Sequence, residues 1–271
     1  MKKSGLKKTM VSKIKFEGNL KEAVEKAVGQ IGGFSSFIKS GDKVLLKPNF
    51  NTADPYPASS DPEFLKTVAR LVYQAGASEV FIGDSCTMAL NTCRVMEKLG
   101  IFDFQKEIQP APKILVFEKG KWLKKKIGQS QYLKSASLPE ILDKVDKLIL
   151  LPCLKTHFLA QFTGALKISV GFMKPLERIG LHASHLSEKI AELNLLIKPD
   201  LIIMDARKCF INKGPSQGEL AEPNLILSSG SRMDIDMEGI KIIQGFEGNS
   251  LAGILPEDIL QIKRAGELGI K

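Results

Sequence analysis

Short apolar runs alternate along the chain with longer stretches in which apolar residues recur at helical spacing. The short runs predict strands over residues 11–16, 43–47, 79–83, 113–117, 147–152, 201–205 and 225–228. The longer stretches predict helices over residues 20–31, 62–75, 91–99, 138–145, 186–197, 234–244 and 256–268. Strands that alternate with helices of this length form right-handed crossovers. The pattern therefore predicts an α/β fold with a mainly parallel sheet covered by helices.

The same pattern predicts a single domain over residues 11–271, preceded by a basic segment over residues 1–10 that carries four lysines. A weak division near residue 150 splits the domain into lobes of roughly 11–147 and 148–271. No apolar stretch approaches the roughly 20 residues that span a bilayer. No apolar run follows the N-terminal lysines as it would in a signal peptide. We therefore expect a cytoplasmic protein without a membrane span.

Charge and cysteine usage narrow the classes of partner. The net charge is +9, and part of the excess lies in the lysine-rich segment 119–126. One tryptophan in a basic segment is a weak nucleic-acid signal, and a solvated turn between two strands is the better interpretation, so nucleic acid is the weaker alternative. The cysteines lack any CxxC spacing, which predicts buried, reduced thiols and no iron–sulfur cluster bound by this chain. They are Cys86, Cys93, Cys153 and Cys209.

Polar side chains directly follow four of the predicted strands. In parallel sheets, ligands bind outside the carboxyl ends of the strands, so these side chains are expected to converge on one crevice. Lys47 and Asn49 are candidate substrate contacts, and Asp84 and Asp205 are candidate ligands of a divalent metal. A strand-end turn with a solvated lysine, and an aspartate that caps the next segment, are the structural alternatives. The residues concerned are Lys47, Asn49, Asp84 and Asp205, together with the segment that begins at Lys155.

The densest signal lies between Lys155 and Lys167, which are cations of the kind that bind phosphate or carboxylate. His157 between them is a candidate general acid or base. The Thr163-Gly164 pair is expected to open a helix whose first amides face an anion. The alternative is a core histidine bonded to backbone beside two surface lysines. We expect catalytic roles for His157 and Lys155, and substrate contacts from Thr156, Thr163 and Lys167.

Two further segments add candidates. Arg178 is expected to bind the anion, and His182 to act as a second base. His182 and His185 are three residues apart, so a shared metal is an alternative, although substrate contacts or a helix cap fit better. The glycines of the 212–218 loop, Gly214 and Gly218, would let its backbone approach a ligand closely.

Taken together, these motifs resemble the DUF362 family, a domain of unknown function that is sometimes joined to ferredoxin-type iron–sulfur modules. The similarity runs from about residue 41 to about residue 239. The matching segments are Lys47-Pro48-Asn49, Asp61-Pro62, Ala75-Gly76-Ala77, Gly83-Asp84-Ser85, Leu154-Lys155-Thr156-His157, Thr163-Gly164-Ala165, Lys167, Arg178, His182, Lys198-Pro199-Asp200-Leu201, Asp205, Gly214-Pro215 and Gly218.

Three departures separate this chain from the family pattern. The family usually has Lys-Asn where this chain has Lys167-Ile168, so one polar side chain is missing beside the predicted site. The family's aspartate-proline-valine-alanine-x-aspartate pattern corresponds to residues 231–236, where only Asp236 matches. The cysteine runs of the ferredoxin modules are absent. The resemblance therefore implies an α/β fold and a shared site, but no reaction and no cluster.

Two functional hypotheses remain open. The first is a protein that binds a small anionic ligand, a carboxylate or phosphate, at the strand ends with lysine and histidine acid–base chemistry. Its cofactor is unknown, with a divalent metal as an option. The second, suggested by the fused relatives, is a non-catalytic accessory protein whose basic face, including residues 124–126, docks onto a ferredoxin-like or other redox partner. The sequence does not decide whether the chain is an enzyme.

Overall fold

The computed structural model describes residues 10–271, so all but the last residue of the predicted basic segment lies outside the described residues. The strands are β1 (Ser12–Lys15), β2 (Lys43–Lys47), β3 (Glu79–Asp84), β4 (Lys113–Val116), β5 (Trp122–Lys126), β6 (Ser135–Pro139), β7 (Lys147–Leu150), β8 (Cys153–His157), β9 (Gln161–Thr163), β10 (Leu201–Phe210), β11 (Leu220–Ala221) and β12 (Leu225–Ser229). The helices are α1 (Leu20–Gly29), α2 (Pro62–Gln74), α3 (Thr92–Lys98), α4 (Phe104–Glu107), α5 (Glu177–Ala183), α6 (Leu186–Leu193), α7 (Arg232–Gln244) and α8 (Leu260–Glu267).

The main sheet follows the order β1-β12-β10-β7-β2-β3-β4. The five strands from β10 to β4 run parallel to their neighbours, and β12 and β1 extend the β10 edge in antiparallel fashion. Beyond its contact with β7, β10 pairs in parallel with β8, which forms a hairpin with β9. The predicted α/β fold with a mainly parallel sheet is confirmed. Strands from both sides of residue 147 share this sheet, because β7 lies between β2 and β10.

Two apolar layers cover the two faces of the sheet. Successive strand residues point to opposite faces, and β2 shows this clearly. Val44 and Leu46 pack into the layer that contains α1 and α2, whereas Leu45 packs into the layer that contains α6, α7 and α8. Burial on both faces explains why this strand is almost continuously apolar in the sequence.

The start and end of α2 follow from local sequence. The Asp61 carboxylate accepts a hydrogen bond from the Glu63 amide at 3.1 Å, and Pro62 occupies the first helical turn. Gly76 follows the helix with φ of 107°, a left-handed conformation that favours glycine. The helix therefore delivers the chain back to β3, whose carboxyl end reaches the site.

The predicted helix over residues 138–145 is wrong. Residues 135–139 instead form β6, which pairs with β5, and a 3₁₀ turn over Glu140–Asp143 follows. The apolar spacing of this segment fits a helix as well as a strand that ends in a turn, and pairing with β5 decides between them. The lysine-rich segment 119–126, expected to be a turn, contains the whole of β5.

Candidate functional site

A pocket of about 530 Å³ opens at the carboxyl ends of β2, β3 and β8, where the 3₁₀ turn Lys167–Phe172 and α5 close its sides. Its volume lies within the range of ordinary small-molecule sites. Nine of the residues singled out in the sequence line it. They are Lys47, Asn49, Asp84, Lys155, His157, Thr163, Lys167, Arg178 and His182.

Four predicted residues lie outside this lining. Thr156 points away, and its Oγ1 accepts a hydrogen bond from the Gly214 amide at 3.2 Å. Gly214 itself packs so closely that an added Cβ would lie 2.1 Å from the Thr156 carbonyl oxygen. Gly218 similarly meets the Asn212 carbonyl rather than the pocket. These glycines let the loop pack against the protein's own backbone, and the neighbouring Pro215 and Ser216 reach the pocket instead.

Asp205 belongs to a separate polar network. Its carboxylate accepts hydrogen bonds from the Tyr56 hydroxyl at 2.7 Å and from the Arg207 guanidinium at 2.7 Å. Arg207 also pairs with Asp61 at 2.5 Å. The expectation that all four strand-end groups converge is therefore wrong for Asp205.

Lys47 and Asp84 form a buried ion pair at the floor of the pocket. The Lys47 Nζ lies 2.6 Å from Asp84 Oδ1 and donates to the Pro48 carbonyl at 2.8 Å. Burial lowers the pKa of Lys47 and raises the pKa of Asp84, and their mutual attraction opposes both shifts. Both Asp84 oxygens are occupied, because Oδ1 also accepts from the Ser85 amide and Oδ2 accepts from the Phe50 amide.

Lys155 is buried, with its ammonium directed at backbone carbonyls. Its Nζ donates to the carbonyl oxygens of Pro57, at 3.3 Å, and Ala58. Burial lowers the pKa of Lys155 to about 8. Thr163 on the paired strand β9 is also buried, and its Oγ1 has no hydrogen-bond partner among the described residues. A buried hydroxyl without a protein partner is rare in folded proteins, and a water molecule, an ion or a ligand can supply the missing bond.

The His157 ring is fixed by the hairpin turn that follows it. Its Nδ1 accepts hydrogen bonds from the amides of Leu159 and Ala160, both at 3.1 Å. The proton of the neutral ring therefore resides on Nε2. Burial, together with the nearby Lys167, His182 and Lys155, lowers the pKa of His157 to about 2. The ring thus stays neutral at physiological pH and offers a fixed Nε2–H donor.

His182 has the opposite tautomer. Its Nδ1 lies 2.7 Å from the Arg178 carbonyl oxygen, which only accepts, so the Nδ1 carries the proton and the Nε2 of the neutral ring is an acceptor. Arg178 itself braces the pocket wall. It donates to the carbonyls of Met173 at 2.8 Å, Cys86 at 2.5 Å and Gly171 at 3.2 Å. The guanidinium therefore contributes charge to the pocket while most of its donors hold backbone.

The segment after Thr163 does not present free amides to a ligand. The amides of Ala165 and Leu166 donate to the Asp236 carboxylate at 2.6 and 2.9 Å. Burial raises the pKa of this carboxyl to about 7. The expected anion at this turn is thus the protein's own side chain, the aspartate that matches the family pattern. The cap of α7 is Ser231, which accepts from the Asp234 amide at 3.1 Å.

No group of three or more histidine, cysteine, aspartate or glutamate side chains with metal-ligand geometry occurs in residues 10–271. His185 stacks on Tyr132 with ring centroids 4.3 Å apart and does not line the pocket with His182. The candidate metal ligands Asp84 and Asp205 bind different protein donors. A divalent metal stays a prediction, without an assembled ligand set to support it.

Several lining residues carry no obvious sequence signal. Met88, Phe158 and Leu159 form an exposed apolar rim, and Phe158 is 71% exposed. Gly171 lets the 3₁₀ turn lie close to the Lys47–Asp84 ion pair, because an added Cβ would lie 2.6 Å from both Asp84 Oδ1 and Lys47 Nζ. The rim residues follow directly after His157 or near β3, which is the only signal that would have found them.

Other predictions concern the surface. Lys124 and Lys126 of β5 are exposed, and Lys125 pairs with Asp143. A redox partner on this face stays a prediction.

All four cysteines are free thiols, and three are buried. Within the described part of the chain, no helix is both long and apolar enough to cross a membrane.

Comparison with known proteins shows the family of this chain and one relative. Residues 44–241 match the family described as "Domain of unknown function (DUF362)", which confirms the resemblance inferred from the motifs. The thylakoid-associated protein sll1697 of Synechocystis sp. is 28% identical over 236 residues, covering 84% of this chain and 71% of the relative.

Two solved structures share the fold at 11% sequence identity. One is a crystal structure of a Thermotoga maritima protein, with a TM-score of 0.50 over 92% of this chain and 58% of that protein. The other is the lactate racemase apoprotein of Thermoanaerobacterium thermosaccharolyticum, with a TM-score of 0.51 over 82% of this chain and 60% of that protein. The chain thus spans about three fifths of each solved structure, and the likeness concerns the fold alone.

Proposed function

We propose that this chain, which belongs to the DUF362 family, binds a small carboxylate- or phosphate-bearing molecule in the strand-end pocket. In this proposal, side chains of the pocket transfer a proton to or from the bound molecule. Four lysine or arginine side chains line the pocket against one carboxylate. A concave site with this excess of positive charge attracts anions, because its low-dielectric walls focus the field. The unpaired Thr163 hydroxyl carries the most weight, because it is a buried donor and acceptor that lines the pocket and lacks a protein partner.

The pocket offers complementary roles to such a molecule. The Lys155 ammonium and the Thr163 hydroxyl would bind the anionic group, and the His157 Nε2–H would donate to a second oxygen. The Nε2 of His182 would accept a proton, since its Nδ1 is bound to a carbonyl. His157 is the poorer base, because its acceptor nitrogen is held by two turn amides. A proton transfer beside a carboxylate fits these groups.

One structure of similar fold supports the choice of a small anionic ligand. The lactate racemase apoprotein, as its name states, is a protein whose substrate is a small carboxylate. The same α/β scaffold can therefore house a site for that class of ligand. L-lactate and inorganic phosphate are suitable probes because one offers a carboxylate and the other a phosphate without further bulk.

The test is titration calorimetry of the full chain with L-lactate and with inorganic phosphate, comparing wild type and Thr163→Val. Valine has nearly the same shape but lacks the hydroxyl. We expect affinity to fall about fivefold to tenfold, the value of one hydrogen bond. The free energy of unfolding should stay equal or rise by about 1 kcal/mol, because an unsatisfied buried hydroxyl is removed.

Thr156→Val is the matched control for stability. Its hydroxyl accepts from the Gly214 amide, so its removal leaves a buried donor unpaired and should lower the free energy of unfolding by about 1–3 kcal/mol. The proposed function would be contradicted if Thr163→Val bound both probes as well as the wild type does. It would also be contradicted if the wild type bound neither probe.

A further inference from the structure

Lys167 differs from the other two lysines of the pocket in having no acceptor. The Lys47 ammonium is paired with Asp84, and the Lys155 ammonium donates to two backbone carbonyls. No carboxylate, carbonyl or other acceptor of residues 10–271 forms a hydrogen bond or ion pair with the Lys167 Nζ. Since no protein acceptor stabilises its ammonium, this amine is the one in the pocket that is best suited to lose its proton.

The charges that face Lys167 act in the same direction. It is partly buried where the 3₁₀ turn meets β8 and α5. The same pocket is lined by Lys155 and the neutral ring of His157 from β8, and by Arg178 and His182 from α5. Lys47 and Asp84, from β2 and β3, also line it and are paired with each other. Burial, followed by Lys155 and Arg178, lowers its pKa to about 7. A substantial fraction of Lys167 is therefore a neutral, nucleophilic amine at neutral pH.

We propose that Lys167 forms an imine with a small carbonyl compound that carries an anionic group, with 2-oxo acids as the substrate class. This inference rests on the proposed function, because the same pocket must first bind the anion. The Lys155 ammonium and the charge of Arg178 would hold the carboxylate, which leaves the adjacent carbonyl carbon within the pocket that Lys167 lines.

The chemistry balances without an oxidant or reductant. The lone pair of the Lys167 nitrogen forms a bond to the carbonyl carbon, the carbonyl oxygen takes up a proton, and the nitrogen loses one, which gives a neutral carbinolamine. The hydroxyl oxygen then takes up a second proton, the carbon–oxygen bond breaks and water leaves. The nitrogen loses its second proton, which leaves the imine. The net reaction is amine plus carbonyl compound to imine plus water. His182 is placed to accept a proton, and the His157 Nε2–H to bind the oxygen.

The experiment is reductive trapping on the full chain. Pyruvate is the probe, sodium cyanoborohydride reduces any imine to a stable secondary amine, and intact mass followed by peptide mapping locates the added group. We expect one addition per chain, at Lys167, with a rate that rises from about pH 6 to about pH 8 as the amine deprotonates. Acetone has the carbonyl without the carboxylate, so we expect its rate of addition to be at most about one tenth of that of pyruvate.

Matched variants separate a specific site from general amine reactivity. Lys167→Met should abolish the addition, whereas Lys174→Met, which removes an exposed lysine a short distance along the chain, should leave it unchanged. Addition spread over many lysines, or retained in Lys167→Met, would overturn the inference. L-lactate binding that depends on Thr163 without any pyruvate adduct would overturn the imine alone. Absence of both would overturn the proposed function as well.

Discussion

Three lysines share one pocket but have three different environments. A carboxylate neutralises Lys47, carbonyl dipoles hold Lys155, and Lys167 has neither. In the sequence all three are strand-end or turn lysines, and residue type alone does not separate them. Their environments are set by long-range contacts, such as that of Lys155 with residues 57 and 58, about a hundred positions earlier in the chain.

The lack of a partner at Lys167 should reduce stability at neutral and acidic pH. Its folded pKa of about 7 lies below the ordinary value of 10.5, so protonation favours the unfolded state. The free energy of unfolding of the wild type therefore decreases as pH falls from about 10.5 to about 7. Lys167→Met lacks the titrating group, so we expect it to be more stable than wild type at about pH 7, by on the order of 2 kcal/mol. Urea denaturation of both proteins at about pH 7 and about pH 10 measures the difference, which should nearly vanish at the higher pH. An equal difference at both pH values would contradict this explanation.

His157 performs two functions that a pair of variants can separate. Asparagine places an oxygen near the position of Nδ1, so His157→Asn should keep the bonds from the Leu159 and Ala160 amides and lose only the Nε2–H donor. We expect L-lactate affinity to fall about tenfold, with the free energy of unfolding within about 1 kcal/mol of wild type. Calorimetric titration and urea denaturation measure the two quantities.

His157→Leu is the contrasting variant, because it removes the acceptor as well and leaves two turn amides unpaired. Its free energy of unfolding should fall by about 1–3 kcal/mol. If asparagine and leucine destabilise the protein equally, the ring does not cap the turn.

At the scale of elements, the 3₁₀ turn Lys167–Phe172 positions the site. It brings Lys167 into the pocket at one end and lays Gly171 against the Lys47–Asp84 pair at the other. Asp236 on α7 holds the start of this turn through the Ala165 and Leu166 amides. An acidic residue that binds turn amides is the reason that this segment curls instead of opening a helix over a ligand.

Gly171→Ala tests this close approach. The added Cβ would lie 2.6 Å from both Asp84 Oδ1 and Lys47 Nζ, so the turn must shift away from the ion pair. We expect a loss of about 1–3 kcal/mol in the free energy of unfolding, together with weaker L-lactate binding. Gly180→Ala in α5 is the control, since an added Cβ there meets nothing within 4 Å and alanine favours a helix by up to about 1 kcal/mol. Equal behaviour of the two variants would show that the turn has room to spare.

The sequence predicted most elements because their signals are local. Asp61 before Pro62 starts α2, and nearly continuous apolar runs mark the central strands, which are buried on both faces. The helix predicted within residues 135–145 was wrong because the strand there is defined by pairing with β5, which the apolar periodicity of the sequence does not reveal. The same holds for the site. Strand-end position predicted Lys47, Asn49, Asp84, Lys155 and His157 of the pocket lining. The ring tautomers, the Asp236 contact and the exclusion of Asp205 depend on contacts that the sequence pattern does not reveal.

For the whole molecule, the pocket is lined by residues from both of the lobes that the sequence predicts. Lys47 and Asp84 come from the part before residue 147, and Lys155, His157 and Lys167 come from the part after it. The lobes also share one sheet, since β2 and β7 pair in parallel with Val44 opposite Lys147. A ligand that contacts both sides binds only when both are folded. Binding and global stability should therefore be coupled across the division.

This coupling is measurable by hydrogen exchange. The Phe50 amide donates to Asp84 in the first lobe, and the Ala160 amide donates to His157 in the second. With L-lactate at about 100 times its dissociation constant, the folded state should gain about 2.7 kcal/mol, which corresponds to roughly hundredfold slower exchange of amides that require global unfolding. We expect both amides to slow by the same factor, and urea denaturation to stay a single transition. Slowing of Ala160 without Phe50 would mean that the ligand contacts only the second lobe and that the lobes unfold independently. Lys174→Met, which alters an exposed lysine outside the pocket lining, should reproduce the wild-type slowing at both amides.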